Sequence, residues 1–173
     1  GILQAPIFDP NADDAVDYGG SGAAIGHEMT HGFDDEGRQF DAQGNLRDWW
    51  TAPDATEYTR RAKLVEEQFD AYIGIDTMHV NGKLTLGENI ADLGGLKIAY
   101  AAYRLSQQGK PPVAPVDGFT GQQRFFLAWA QVWRQLYRPE ARRRQLVTDR
   151  HSPGMWRVNG PLSNLPEFSA AFG

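Results

Sequence analysis

A chain of 173 residues, 41% hydrophobic and 23% charged, has enough apolar material for one buried core and too little length for two independent domains. Its net charge of −5 works against binding to nucleic-acid phosphates, and the absence of cysteine excludes disulfides and any thiolate metal site within these residues. No apolar run reaches the roughly 18 residues that a membrane helix needs, and no signal-peptide pattern is present.

Pro6, Pro10 and the Asp9–Asn11 turn chemistry predict an irregular start. Asn11 or Asp13 can then cap a helix expected to run to about Asp34. The middle of that helix, Ser21-Gly22-Ala23-Ala24-Ile25-Gly26, is built of small residues. Each glycine weakens a helix by up to about 1 kcal/mol, so Gly22 and Gly26 point to another backbone, or a substrate, lying against it. Residues 38–53 read as a loop with one turn at Asp41–Gly44 and a Trp49-Trp50 pair that serves as a core or domain-interface anchor. Tyr58, Ala62, Val65 and Phe69 share one face of a helix predicted from Thr56 to about Tyr72.

The Asn81-Gly82 pair predicts a hairpin over residues 79–84, with His79 beside it as a structural histidine. A second long helix is expected over about 86–107. Three prolines and three glycines make 108–121 a loop. An aromatic-rich helix follows over 122–137, a short one over 139–147, a loop over 148–164 and a last helix over 165–172. The basic cluster Arg138, Arg142, Arg143 and Arg144 reads as a solvated helix face. The sum is a mainly α domain with one minor β hairpin.

The chemistry is concentrated in His27-Glu28-Met29-Thr30-His31. Residues i and i+4 stand one above the other on a helix face, so both imidazoles of an HExxH motif can reach one ion. Glu28 projects beside the metal, where it can polarise a metal-bound water and accept its proton. Two histidines leave a catalytic zinc one protein ligand short. Further on, Gly87-Glu88-Asn89-Ile90-Ala91-Asp92 places Glu88 and Asp92 at i and i+4 of a predicted helix. One carboxylate can bind the metal while the other accepts a hydrogen bond from a ligand histidine.

HEMTHGFDDEG, followed 57 residues after His31 by GENIADLGG and then by TDRHSPGMWRVNG, resembles the neprilysin and endothelin-converting-enzyme family of zinc metallopeptidases along essentially the whole chain. The resemblance implies a zincin-type (gluzincin) fold, with an HExxH helix and a second ligand-bearing helix. It implies one zinc ion held by His27, His31 and Glu88, with Glu28 as general base and Asp92 orienting a zinc-bound histidine. It further implies that His151 stabilises the tetrahedral oxyanion and that Arg157 binds a substrate backbone carbonyl. Val132 and Trp133 would line the pocket for the residue after the scissile bond. On this reading residues 1–173 form the C-terminal part of a metalloendopeptidase catalytic lobe, a single domain truncated at both ends and beginning at Gly1 rather than Met. The expected partners are peptide substrates and the rest of the parent chain, whose second lobe caps the site. The Ala- and Arg-rich composition leans towards a bacterial parent, expected to work outside the cytoplasm as a periplasmic or secreted protein. A second reading is a zinc-binding module without catalysis, because the capping lobe and the family's substrate-holding Asn-Ala segment are absent from these residues.

Overall fold

In the computed structural model, which describes all 173 residues, the chain enters its first helical stretch at Asp13, whose carboxylate accepts a hydrogen bond from the Ala15 N–H at 2.9 Å. The stretch continues to Phe33 but changes its winding: α1 (Asp14–Asp17), a wide π turn (Tyr18–Gly22), α2 (Ala23–Thr30) and a tight 3₁₀ turn (His31–Phe33) follow in succession. The single helix expected here is therefore interrupted. Gly19 and Gly20 in the wide turn lie so close to the Phe125 and Ile7 carbonyls that an added Cβ would sit 2.1 and 2.3 Å from them.

After a 3₁₀ turn (Gly37–Gln39) and a loop, α3 (Ala52–Asp70) begins earlier than its apolar periodicity suggests. Thr51 caps it, its hydroxyl accepting the Asp54 N–H at 3.3 Å. Trp49 is 46% exposed, so the tryptophan pair is not core. It forms an aromatic cluster on the surface, with Trp49 edge-on to Phe33 and Trp50 against Tyr58. The antiparallel hairpin of β1 (Ile73–Ile75) and β2 (Met78–His79) lies upstream of its expected place and turns at Asp76, whose φ is 50°. Asn81-Gly82 has another task. Asn81 Oδ1 accepts the Leu84 N–H, and Gly82 donates its N–H to Asp70 while a Cβ there would meet the Glu66 carbonyl at 2.1 Å. His79 is structural, as expected: its Nδ1 donates to the Asp70 carbonyl at 2.7 Å.

Next come α4 (Leu86–Ser106), α5 (Gly121–Val132), α6 (Pro139–Thr148), α7 (Gly154–Ser163) and α8 (Pro166–Phe172). Two differences from the sequence expectation matter. Helix α5 ends at Val132 instead of Tyr137, and helix resumes at Pro139, a residue suited to a first turn. Helix α7 occupies a segment expected to be loop. Its glycines are packing residues: a Cβ at Gly154 would meet the Trp133 carbonyl at 2.6 Å, and one at Gly160 the Phe69 ring at 2.4 Å. Pro161 cannot donate to the Arg157 carbonyl, and the Trp129 indole N–H takes that acceptor instead at 3.0 Å.

The main core gathers Leu96, Ala99, Tyr100 and Tyr103 of α4 with Phe125, Phe126 and Trp129 of α5 and Leu162 of α7. A smaller cluster of Phe69, Val80 and Leu146 seats the hairpin and α6. No helix is long and apolar enough to cross a membrane.

What positions the motifs is the crossing of α2 and α4. A Cβ on Gly26 would lie 2.7 Å from the Gly95 carbonyl oxygen, and one on Gly95 would lie 2.5 Å from the His27 nitrogen. The close backbone expected against Gly26 is thus that of α4. Gly26→Ala is expected to cost about 2–3 kcal/mol by forcing two backbones apart, and to weaken metal binding because His27 moves with α2. Urea unfolding and metal titration of the variant check this, and a variant as stable as the parent would refute it.

Candidate metal centre

His27 sits in the last turn of α2 and His31 caps its end, four residues on, with ring centroids 4.6 Å apart and planes at 90°. Each imidazole is held from behind by a carboxylate. Asp92 Oδ1 of α4 accepts from His27 Nδ1 at 2.8 Å, and Asp34 Oδ2 accepts from His31 Nδ1 at 2.6 Å. A carboxylate is only an acceptor, so in the neutral rings these contacts place the N–H on Nδ1 and leave the lone pair on Nε2. The two Nε2 atoms face each other at 3.0 Å. Glu88, in the first turn of α4, brings Oε2 to 3.2 Å from His27 Nε2 and Oε1 to 3.7 Å from His31 Nε2.

This donor set fits a zinc ion. One ligand atom each from His27, His31 and Glu88 lies within 4.8 Å of the others. Tetrahedral zinc with N and O ligands at about 2.0–2.1 Å spaces its ligand atoms about 3.3 Å apart, and the observed 3.0, 3.2 and 3.7 Å scatter about that value. Glu88 Oε2 is buried and makes no well-aligned hydrogen bond, although His27 Nε2 and His151 Nε2 each stand 3.2 Å from it. Two opposed imidazole lone pairs beside such a carboxylate oxygen are what a cation would satisfy.

Around the donors lies a charged frame. Asp92 is fully buried and receives Arg157 through Nε and Nη2, both at 2.7 Å. The Arg157 guanidinium also stacks over Trp133 at 3.8 Å and brings Nη2 to 3.5 Å from Glu88. His151, in the loop between α6 and α7, brings Nε2 to 3.2 Å from Glu88 Oε2. Its Nδ1 and its backbone N–H both donate to Asp149 Oδ1, at 2.8 and 2.9 Å. Exposed Glu28 lines a pocket of about 310 Å³ together with His27, Ala24, Val132, Trp133, His151 and Arg157. His27, His31, Glu88, Asp92, Glu28, His151, Arg157, Val132 and Trp133 thus lie around one group of donors and the pocket beside it.

Burial opposes a positive charge on His27, but Asp92 and Glu88 against its two nitrogens outweigh that and raise it to about 9 in the metal-free protein. Burial likewise opposes the charge on Glu88, yet the His151 and His27 imidazoles and Arg157 hold it well below the usual carboxylate range. His151 is raised, first by Glu88 beside it, against some burial, and then by Asp149. Zinc requires neutral imidazole, so binding must expel the His27 proton at any pH below about 9. Glu88 is already ionised and releases none. Apparent zinc affinity is expected to rise about tenfold per pH unit from 7 towards 9 and then level off. Competition against a chromophoric chelator measures the slope, and a flat profile would show that no proton is displaced.

Two residues of this frame escaped the sequence reading: Asp34, behind His31, and Asp149, behind His151. The signal for Asp34 was its place three residues after the second histidine, where the 3₁₀ turn brings it back. Asp149 lies two residues before His151, where an Asx-type contact is short-range.

The sequence model of Peptidase family M13 matches residues 1–173. The chain belongs to peptidase family M13. It is 48% identical to the endothelin-converting enzyme homolog of Locusta migratoria over 99% of its own length and 24% of that protein. It is also 48% identical to neprilysin-1 of Caenorhabditis elegans, again over 99% of itself and 24% of the relative. Among solved structures, the Mycobacterium tuberculosis zinc metalloprotease ZMP1 in complex with an inhibitor superposes with a TM-score of 0.95 at 50% identity, covering 99% of this chain and 27% of that one. The mainly helical fold is thus that of M13 zinc metalloproteases, and this chain spans about a quarter of the length of the M13 relatives it matches.

Proposed function

We propose that this chain carries the zinc-binding and catalytic side chains of an endopeptidase that hydrolyses peptide bonds of oligopeptides. The observation that carries the reading is the convergence of His27, His31 and Glu88 next to exposed Glu28 in an open pocket. His27, His31 and Glu88 would hold the zinc, which when bound supplies a Lewis acid that polarises the scissile carbonyl and acidifies the attacking water. Glu28 takes the proton of that water and delivers it to the leaving amine. His151, oriented by Asp149, donates Nε2–H to the oxyanion of the tetrahedral intermediate, a contribution of about 3–4 kcal/mol for one such donor. Arg157 commits Nε and Nη2 to Asp92, which leaves Nη1 for a substrate backbone carbonyl. Val132 and Trp133 form the apolar wall against the side chain after the scissile bond.

Its substrates in this reading are peptides, admitted by the remainder of a longer M13 chain that caps the site, in an extracytoplasmic setting. The test is cleavage of an internally quenched peptide by the zinc-loaded protein, abolished by a chelator and restored by zinc. A second reading, a zinc-binding module without turnover, is favoured by the coverage of only about a quarter of the M13 relatives. Stoichiometric zinc binding by the chain with no chelator-sensitive cleavage would select it.

A further inference from the structure

His151 stands on an exposed loop, yet its use at the metal centre requires a fixed position. Besides the contact of the imidazole itself with Glu88, two ties reach that loop from elsewhere in the metal-binding part of the fold. One is the exposed ion pair of Arg150 with Glu36 at 2.6 Å, the kind of contact that solvent makes weak. The other is buried. Ser152, only 1% exposed and next to His151, donates its hydroxyl to Asn89 Oδ1 at 2.8 Å. Asn89, also 1% exposed, donates from Nδ2 to Thr85 Oγ1 at 2.9 Å, and that hydroxyl donates to the Asn81 carbonyl at 2.9 Å. A one-directional chain of hydrogen bonds thus runs from the His151 loop through the first turn of α4, the turn that also presents Glu88. The chain ends on the Asn81 carbonyl, which can only accept, and this fixes the direction of the hydrogen bonds behind it.

We infer that the Ser152–Asn89 hydrogen bond is a positioning device. It pins the His151 loop to α4 and so sets where the imidazole stands relative to the metal ligands. The inference rests on the oxyanion role proposed for His151. Neither residue touches substrate; both act through His151. Without the pin, the loop keeps its local Asp149 contacts, the solvent-exposed Arg150 pair and a long bond of 3.5 Å from Gln145 Nε2 to the His151 carbonyl, and the imidazole is left with α4 only through its own contact with Glu88, a carboxylate that a bound metal would claim.

The test is a double-mutant cycle read by binding, in the zinc-loaded protein, of a phosphinic peptide analogue whose tetrahedral P–O⁻ group imitates the oxyanion. Zinc content is checked for each variant. Ser152→Ala is expected to weaken the analogue about tenfold in the parental background, since a misplacement of about 1 Å at a reacting group has effects of this order or larger. In the His151→Ala background the same substitution is expected to change binding less than twofold, because there is no imidazole left to misplace. Equal losses in both backgrounds, or none in either, would overturn the positioning role while leaving the oxyanion role of His151 intact. If His151→Ala itself binds the analogue as tightly as the parent, the oxyanion assignment falls and the inference with it. Should Ser152→Ala fail to fold, Ser152→Thr keeps the hydroxyl and is expected to stay within about threefold of the parent; a tenfold loss there with unchanged zinc content would also overturn the inference.

Discussion

Glu28→Gln is expected to lower kcat for peptide hydrolysis by about 10³- to 10⁴-fold, the upper range for loss of a general base. Glutamine matches glutamate in shape and can still accept a hydrogen bond from water, but it cannot hold a proton at neutral pH. The side chain is exposed in the pocket beside His27 and His151, so nothing in the core depends on its charge. Zinc content is therefore expected to stay at one per chain and thermal stability to stay within about 1 °C of the parent. This combination separates a base from a ligand: a ligand variant loses metal, and a base variant loses only turnover. Stopped-assay kinetics with elemental analysis of the same samples decide it. A variant retaining more than a tenth of the parental kcat would show that another group takes the proton.

Asp92→Ala is expected to have the largest effect on stability, about 3–5 kcal/mol in the metal-free protein. Asp92 is fully buried and Arg157 only 5% exposed, so removing the carboxylate strands a guanidinium that no water reaches easily. It also strands the His27 Nδ1–H, which loses the acceptor that fixes its tautomer. Losing such a partner behind a ligand histidine typically costs 10- to 100-fold in metal affinity. The two losses can be told apart. Replacing both members of the pair, Asp92→Leu with Arg157→Met, removes the stranded charge and is expected to recover most of the folding stability but none of the zinc affinity. Denaturant unfolding in excess chelator reads the first quantity, and chelator competition reads the second. A single Asp92→Ala variant that loses less than about 1 kcal/mol would mean that the Arg157 charge finds solvent on relaxation.

The part of the site that was legible in advance is the part set by short-range geometry. His27 and His31 are a helical turn apart, as are Glu88 and Asp92, and each pair lies on one face whatever the rest of the chain does. Which of Glu88 and Asp92 faces the Nε2 atoms was not local. It follows from the direction in which α4 crosses α2, which points Glu88 at the inward Nε2 atoms and Asp92 at the outward Nδ1 of His27. His151 and Arg157 carried no local mark of function, and only likeness to a family singled them out. Helix α7, which holds Arg157, read as a loop because Gly154, Gly160 and Pro161 are ordinary loop signals; here they serve close packing and free a carbonyl for Trp129. The hairpin was misplaced for the same kind of reason. Asn81-Gly82 suits a hairpin turn in isolation, but the contact of Gly82 with α3 and the turn at Asp76 set the strands one step earlier.

By itself, then, the sequence determined the donor set: two imidazoles on one helix face with a carboxylate beside them, an acidic pair on another helix, and no thiol to compete for a metal. Spacing of four residues specifies geometry through the helix repeat alone. Only the tertiary structure decided that these groups form one centre, because His31 and Glu88 stand 57 residues apart in the chain and no local rule spans that gap. The two helices meet closely enough for a shared ion because Gly26 and Gly95 carry no side chains where their backbones touch.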